Sequence, residues 1–300
     1  MPDPTTITAH GKLLITGEYA VLDGARALAA PTRFGQRFTI AETASDRPFT
    51  WSSHGPDGAR WLHLEYDPTE HYAAPRMRGL VRVLRRLDAL RPGTIRPGIR
   101  VRSDMDFDPR WGLGSSSTLV YALATWAGVS PFDLNTGTFN SSGYDVACAG
   151  SDGPILYQNR TDGPVWDRVA WRPPFADRLY IVYLGRKMDS RRAIERYRSR
   201  DAGDGFIERI DALTDAVLAA GSLTDFERTV RQHEHLVGER IGLDPIGSTL
   251  FADWPGVAKS LGGWGGDMAL LSGPADTEAV CDDLAKRGFD TVFTLQDILR

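Results

Sequence analysis

The sequence predicts an α+β protein of two domains, spanning residues 1–174 and 175–300. In the first half, strand-like stretches alternate with turn signals, and a strand, a glycine loop and an apolar helix follow one another. The second half contains amphipathic helices and a few strands, without the regular alternation of a doubly wound sheet. The proline pair Pro173 and Pro174 precedes a strongly apolar strand. We therefore expect the domain boundary near Pro174.

The first half begins with strands and contains one long amphipathic helix. Residues 12–22 (KLLITGEYAVL) and 36–42 (QRFTIAE) are typical of strands. Apolar residues recur at helical spacing from Pro75 to Leu90, which predicts a helix with one buried face. Because the chain carries a net charge of −4, the arginines on the other faces favour a solvated surface over a recognition helix for nucleic acid. The apolar residues are Met77, Leu80, Val81, Leu84 and Leu87.

Further strands and helices are predicted along the rest of the chain. A strand is expected within residues 98–107, and a helix from Leu119 to Ala127 that ends at Gly128. Residues 154–160 and 165–171 predict a hairpin. The predicted elements beyond it are an apolar strand within residues 173–185, helices around Phe206–Ala220 and Leu223–Ile241, a glycine-rich stretch at 262–273, and a final helix and strand.

Composition limits the classes of partner that the protein can have. A net charge of −4 gives no overall field for nucleic acid or anionic lipid. The two cysteines, Cys148 and Cys281, are too few for a disulfide framework, and their spacing does not suggest zinc. No stretch approaches the ~20 apolar residues of a membrane span, and the first residues lack an apolar signal core. We expect a cytoplasmic protein that binds neither nucleic acid nor a membrane.

The stretch RWGLGSSSTLVYALATWAG, residues 110–128, places two glycines and three serines against an apolar helix. Gly112 and Gly114 allow tight turns and close approach of a ligand, and the serines can cap the helix. Free amides and the positive end of a helix dipole suit a phosphate group. An ordinary capped helix is the alternative. The loop lacks the lysine of a Walker A motif and the third glycine of a GxGxxG motif. It also contains no GxSxG motif.

Two further glycine segments accompany this loop, and together the three resemble motifs of the GHMP kinase superfamily. GKLLITGEYAVLDGA is similar to the first motif in its mevalonate and phosphomevalonate kinase form, GLGSSSTL to the second, and GGWGGD lies in the position of the third. The resemblance spans nearly the whole chain. It implies a ribosomal protein S5 domain 2-like N-terminal domain and a ferredoxin-like C-terminal domain. It also implies an ATP-dependent, magnesium-dependent small-molecule kinase, with a homodimer as one expected assembly.

The resemblance assigns roles to individual residues. Asp145, in NSSGYDVACAG, matches a catalytic aspartate, although a helix cap would also explain it, and Lys12 is expected beside it. Ser116 matches the Mg²⁺-contacting serine of the loop that binds ATP phosphates. That loop consists of Gly112, Leu113, Gly114, Ser115, Ser116 and Ser117. Mevalonate kinases usually add a glutamate to the metal, but here the only acidic residue between Leu119 and Tyr144 is Asp133. Either Asp133 replaces it, or ATP, water and serine hold the ion.

The expected acceptor is a mevalonate-like hydroxy acid or its phosphate, bound mainly by the first motif and the second domain. The third loop differs from the family's motif because Trp264 lies between its glycines and Asp267 follows them. For Trp264 we favour packing between domains over covering a ligand. Two other functions remain open: a decarboxylase of the diphosphomevalonate decarboxylase type, and a nucleotide-binding regulator without catalysis. The expected substrate-side residues are Glu18, Tyr19, Arg186, Lys187, His235, Gly262, Gly263 and Gly265.

Overall fold

The structure is a computed structural model that describes residues 3–44, 46–72, 74–186, 190–200, 203 and 205–300. The chain forms two compact units that alternate along the sequence. The first comprises Met1–Gly11, Phe34–Pro109 and Leu113–Gly150, and the second comprises Lys12–Arg33, Arg110–Gly112 and Ser151–Arg300. These units are not defined by a single cut in the chain, and the boundary expected near Pro174 stays a prediction. The predicted α+β composition is confirmed.

The first unit consists of strands and the helices that pack against them. Within this unit β4, β3, β5 and residues 36–42 of β2 lie side by side in that order. β3 and β5 are parallel, whereas the other two pairs are antiparallel. The chain passes between the units within β1 and β2. The elements are β1 (Thr5–Leu14), β2 (Ala27–Glu42), β3 (Phe49–His54), β4 (Arg60–Tyr66), α1 (Pro75–Leu90), β5 (Ile99–Met105), α2 (Ser115–Ala127), α3 (Pro131–Asn135) and α4 (Tyr144–Ala149).

Helices α1 and α2 bury their apolar faces in the core of the first unit. The predicted helix from Pro75 to Leu90 is confirmed, and its face of leucines and valines is buried as the periodicity requires. Most of its arginines are exposed, which supports the prediction of a solvated face. α2 ends at Gly128, as predicted, in a left-handed C-cap that glycine adopts without strain. However, α2 begins at Ser115, four residues earlier than the apolar pattern indicates.

The second unit contains a four-stranded antiparallel sheet of order β11-β8-β10-β9. The predicted hairpin is confirmed as β6 and β7, and β6 pairs with residues 27–29 of β2. Both predicted amphipathic helices are present as α6 and α7. The elements are β6 (Ile155–Arg160), β7 (Gly163–Arg168), β8 (Leu179–Tyr183), α5 (Ser190–Ser199), α6 (Phe206–Ala219), α7 (Leu223–Ile241), β9 (Ala258–Leu261), β10 (Met268–Ser272), α8 (Thr277–Lys286), β11 (Val292–Thr294) and α9 (Leu295–Ile298).

Helix α7 positions buried side chains against β9 in the second unit. Ser222 caps its N-terminus by accepting from Asp225 N–H, and Gly242 ends it in a left-handed conformation. Its inward face includes two polar residues, His233 and Glu234, among apolar ones. Across the described parts of the chain, no helix has the length and apolar character needed to cross a membrane.

Candidate active site

Lys12 lies where the three glycine-containing motifs meet within the second unit. Its Nζ donates to the carbonyl oxygen of Gly112 at 3.0 Å. The same Nζ is 3.9 Å from the position that a Cβ on Gly262 would occupy. The structure therefore brings together the lysine of the first motif, the first glycine of the second and the first glycine of the third.

Gly112 is required at its position for two independent reasons. Its φ of +69° lies in the left-handed region, which glycine adopts without strain. A Cβ there would lie 2.5 Å from Oδ2 of Asp267, too close for any real contact. Asp267 itself has a φ of +34°, and its N–H donates to the Arg186 carbonyl at 2.8 Å. The aspartate after the third glycine loop therefore packs directly on the backbone where the second loop begins.

The N-terminus of α2 has free amides that side chains do not cap. Gly114, with a φ of +91°, is the N-cap and makes no side-chain capping bond. Ser117 Oγ instead donates back to the Gly114 carbonyl at 2.8 Å. The expectation that the serines cap this helix is wrong, because the N-cap position belongs to a glycine. The amides of Ser115 and Ser116, both half-buried residues, thus remain available for an anion, and no acidic residue lies in the first turn.

Asp145 lies in the first turn of α4 in the first unit, where two donors orient its carboxylate. Oδ1 accepts from Ser141 Oγ at 2.8 Å and from the Val146 N–H at 3.0 Å. Ser141 is held in turn by Asn135, whose Nδ2 donates to the Ser141 carbonyl at 3.1 Å. Asn135 is buried, so the residue that supports Ser141 is shielded from solvent. The carboxylate is half-buried, and its second oxygen, Oδ2, takes part in neither of these hydrogen bonds.

Lys12 belongs to the second unit and Asp145 to the first. Their convergence on one reacting group stays a prediction, as do the catalytic roles of both residues.

Glu18 is buried rather than open to a substrate. Its side chain is 1% exposed and forms an ion pair with Lys259, which is 0% exposed. Burial raises the pKa of Glu18, while the charge of Lys259 opposes that rise. The Gly262 backbone also lowers the pKa of Glu18, so this carboxylate adjoins the third glycine loop.

The buried cluster around Glu18 also contains His233 and Glu234, both from α7. His233 Nε2 accepts from the Gly17 N–H at 2.9 Å, so this nitrogen carries no proton and the ring is neutral. Burial holds the pKa of His233 well below its usual range. Glu234 Oε1 accepts from the Ser260 N–H at 3.0 Å, and Oε2 lies 4.0 Å from Lys259 Nζ. Burial raises the pKa of Glu234 to about 7.

Lys259 and Glu234 were not among the residues that the sequence singles out. Lys259 precedes the glycines of the third motif and would ordinarily be assigned to an exposed position. Its ion-pair partner Glu18 is 241 residues away along the chain. A glutamate at the first motif and a lysine just before the third are the sequence signals for this pair.

Tyr19 and Trp264 join the first motif to the third through packing. The Trp264 N–H donates to the Tyr19 hydroxyl at 2.9 Å, and the Tyr19 ring stacks on Tyr197 with centroids 6.0 Å apart. Burial raises the pKa of Tyr19 to about 12. The Trp264 indole N–H donates to the Asp244 carbonyl, and the ring lies beside Gly238. Trp264 therefore packs within the second unit and supports the third glycine loop.

The remaining substrate-side candidates occupy different environments. Gly262 and Gly265 have φ values of +76° and +65°, and the Gly265 N–H donates to Ser260 Oγ. Gly263 accepts from the Gly266 N–H at 3.2 Å, and Arg186 is exposed. Lys187 lies outside the described residues. His235 is exposed beside Glu239, whereas His233 on the same helix faces the buried cluster. The roles of these residues stay predictions.

Ser116 and Asp133, the two protein residues considered as ligands for a metal ion, are both among the described residues. Within the described ranges, no group of three or more His, Cys, Asp or Glu side chains is arranged to hold one. Asp133 is exposed in the first turn of α3, just after the C-terminal end of α2, whereas Ser116 is at the N-terminal end. This arrangement favours the expectation in which Ser116, water and nucleotide hold the ion over the one in which Asp133 replaces the usual glutamate.

Comparison with solved structures identifies the fold. The Streptococcus pneumoniae phosphomevalonate kinase in complex with phosphomevalonate and AMPPNP matches 96% of this chain and 99% of its own, with a TM-score of 0.72 and 18% identity. The L. major mevalonate kinase in complex with R-mevalonate matches over 98% and 96%, with a TM-score of 0.70 and 17% identity. The chain has the GHMP kinase fold.

The GHMP kinase fold is shared by proteins with different acceptors. The Lactococcus lactis galactokinase complexed with galactose matches 99% of this chain and 93% of its own, with a TM-score of 0.71 and 11% identity. No family model and no curated protein matches the sequence. At these identities the likeness establishes the fold, and the GHMP kinase motifs locate the candidate site within it.

Proposed function

We propose that the protein is an ATP-dependent small-molecule kinase that phosphorylates a mevalonate-like hydroxy acid or its phosphate. The observation that carries this proposal is the meeting of Lys12, Gly112 and Gly262 within the second unit. Three separate motifs contribute one residue each to this point. A cation surrounded by glycine backbone is well suited to the negative charge of a phosphoryl group.

The fold neighbours support both the nucleotide and the class of acceptor. The pneumococcal phosphomevalonate kinase is a complex with phosphomevalonate and AMPPNP, and the L. major enzyme binds R-mevalonate. The first motif of this chain is similar to the form found in that branch of the superfamily. We therefore place a hydroxy acid ahead of a sugar as the acceptor, although galactokinase has the same fold.

The residues present fit a nucleotide at the start of α2. Gly112 and Gly114 both have positive φ, and the amides of the first turn of α2 are not capped by side chains. The thirteen-residue helix also gives its positive end to an anion there. Ser116 would contribute a hydroxyl to Mg²⁺, whose remaining ligands would be nucleotide oxygens and water.

The proposed chemistry is phosphoryl transfer with Asp145 as the base. When bound, ATP supplies the γ-phosphoryl group and departs as ADP. Asp145 accepts the proton that the acceptor hydroxyl loses as its oxygen forms the new P–O bond. Ser141 and the Val146 amide hold the Asp145 carboxylate in one orientation. Lys12 stabilises negative charge beside the Gly112 backbone.

A phosphate-transfer screen with a matched pair of variants tests this proposal. The acceptors are mevalonate, phosphomevalonate, homoserine and galactose, with ADP formation and phosphorylated product both measured. We expect Asp145→Asn to lower turnover about 10²–10⁴-fold, because the base is lost while the shape is kept. Glu65→Gln, which removes an exposed carboxylate from β4 of the same unit, should retain full activity.

Each other outcome of the screen has a defined meaning. Equal rates for the wild type and Asp145→Asn on a phosphorylated acceptor contradict the assignment of the base. In a parallel reaction with diphosphomevalonate, release of carbon dioxide together with ATP hydrolysis identifies a decarboxylase. Binding of ATP with no product from any acceptor indicates a regulator.

A further inference from the structure

A cavity in the second unit lies apart from every residue assigned to the kinase site. Its volume is about 900 Å³, within the range that holds small-molecule ligands. Residues 152–154, 168–173, 176, 295–296 and 299–300 line it. These segments are the turn before β6, the end of β7, the connection to β8 and the region of α9. No candidate residue of the nucleotide or acceptor site lies among them.

Two arginines give the cavity an excess of positive charge. Arg168 and Arg172 line it with exposed side chains, and neither guanidinium group has a hydrogen-bond or ion-pair partner among the described residues. Arg300 also lines the cavity, but its Nη2 is 3.0 Å from the Asp152 carboxylate, which it neutralises. The only acidic residue of the lining is therefore engaged, and two guanidinium groups remain for a ligand.

Trp171, between these arginines, is a buried aromatic residue of the lining. Its side chain is only 4% exposed. Its indole Nε1 has no hydrogen-bond partner in the described chain and almost no accessible surface. This nitrogen therefore offers the cavity no donor, and Trp171 contributes the apolar surface of its ring.

The rest of the lining is apolar and would suit an aliphatic body. Leu295 and Leu299 contribute one wall, and Val169, Pro154 and Ala176 contribute to the others. The cavity thus combines cationic donors with hydrocarbon surface. This pattern is typical of sites that bind an organic acid by its head and its chain together.

We propose that this cavity binds a small organic anion, a phosphate monoester or a carboxylate on an aliphatic body. The anionic head pairs with Arg168 and Arg172, while the body packs on Leu295 and Leu299. Because two unpaired cations face the cavity, the doubly charged phosphate head binds more tightly than the carboxylate. The site is independent of the kinase reaction.

Isothermal titration of the full chain with three probes of equal length tests the site. The probes are octyl phosphate, octanoate and octanol. We expect octyl phosphate to bind most tightly, octanoate less tightly, and octanol at least tenfold more weakly than octyl phosphate. Arg168→Gln and Arg172→Gln should each lower the affinity for octyl phosphate about tenfold or more, because each removes a charge-assisted hydrogen bond.

The matched control is Arg160→Gln, which removes an exposed arginine of β6 that does not line the cavity. It should bind octyl phosphate as the wild type does. Equal affinity for octanol and octyl phosphate overturns the proposal, as does anion binding that neither Arg168→Gln nor Arg172→Gln weakens. The second result would place the probe elsewhere on the protein, including the phosphate loop of the proposed kinase site. A failed kinase screen leaves this titration unaffected.

Discussion

Replacing Glu234 by glutamine should remove a pH dependence of folding that the buried cluster creates. Burial raises the pKa of Glu234 from 4.5 to about 7. The folded protein therefore holds this proton more tightly than the unfolded chain does. The resulting contribution to stability is complete below pH 4.5 and is lost as the pH rises to about 7. In Glu234→Gln the side chain cannot titrate, so this contribution is absent.

The magnitude follows from the two pKa values. A difference of about 2.5 units corresponds to about 3.4 kcal/mol when the group is fully ionised in both states. Between pH 5 and pH 8 the wild type should lose about 2.5 kcal/mol of unfolding free energy relative to Glu234→Gln. The lowered pKa of His233 has the opposite effect, because it makes the unfolding free energy increase as the pH rises. His233 is present in both proteins.

Urea unfolding of both proteins at pH 5, 6, 7 and 8 measures this difference. The charged groups next to Glu234, namely Glu18 and Lys259, are present in both proteins, and their interaction with the Glu234 charge is part of the measured difference. Glu208→Gln, from an exposed position of α6, is the control and should follow the wild-type curve. If the gap between the wild type and Glu234→Gln stays constant across this range, the carboxyl does not titrate there and the reasoning fails.

Two substitutions test the supports of the proposed site. Ser141→Ala should lower turnover about tenfold by removing a 2.8 Å hydrogen bond to Asp145. Ser141→Thr keeps the hydroxyl and should retain most of the wild-type turnover. Equal losses of turnover in the two variants would show that the hydroxyl does not position the base. Gly112→Ala should lower the unfolding free energy more than Gly93→Ala does. Both glycines have positive φ, at a cost of about 1–2 kcal/mol for alanine, but only at Gly112 does the new Cβ meet Asp267. Urea unfolding compares the two, and matching losses would show that the loop relaxes around the methyl group.

Sequence patterns predicted the elements that depend on local periodicity. The helix from Pro75 to Leu90 has the boundaries that its apolar spacing and its first proline indicate. The two helices of the second unit and the hairpin of β6 and β7 were predicted for the same reason. The start of α2 was placed too late, because the serines before Leu119 carry no apolar signal although they are helical.

The buried ionic cluster could not be predicted, because it depends on contacts between distant segments. Helical spacing correctly separates His233 from His235, yet only the fold shows that His233 faces inward. Lys259 forms its buried ion pair with Glu18, and the two come from opposite ends of the chain. Of the candidate site, the meeting of the three motifs at Lys12 was foreseeable from the resemblance, whereas the burial of Glu18 and Tyr19 was not.

The pairing of Glu18 with Lys259 limits how the acceptor specificity of this scaffold can be redesigned. Neither residue has contact with water, so changing one alone leaves the other as an unmatched ion, at a cost of roughly 3–5 kcal/mol. A library that varies the first motif without Lys259 would therefore return mainly unfolded proteins. The two positions should be varied jointly, with apolar pairs of similar volume included, since such pairs often replace an interior ion pair without loss of stability.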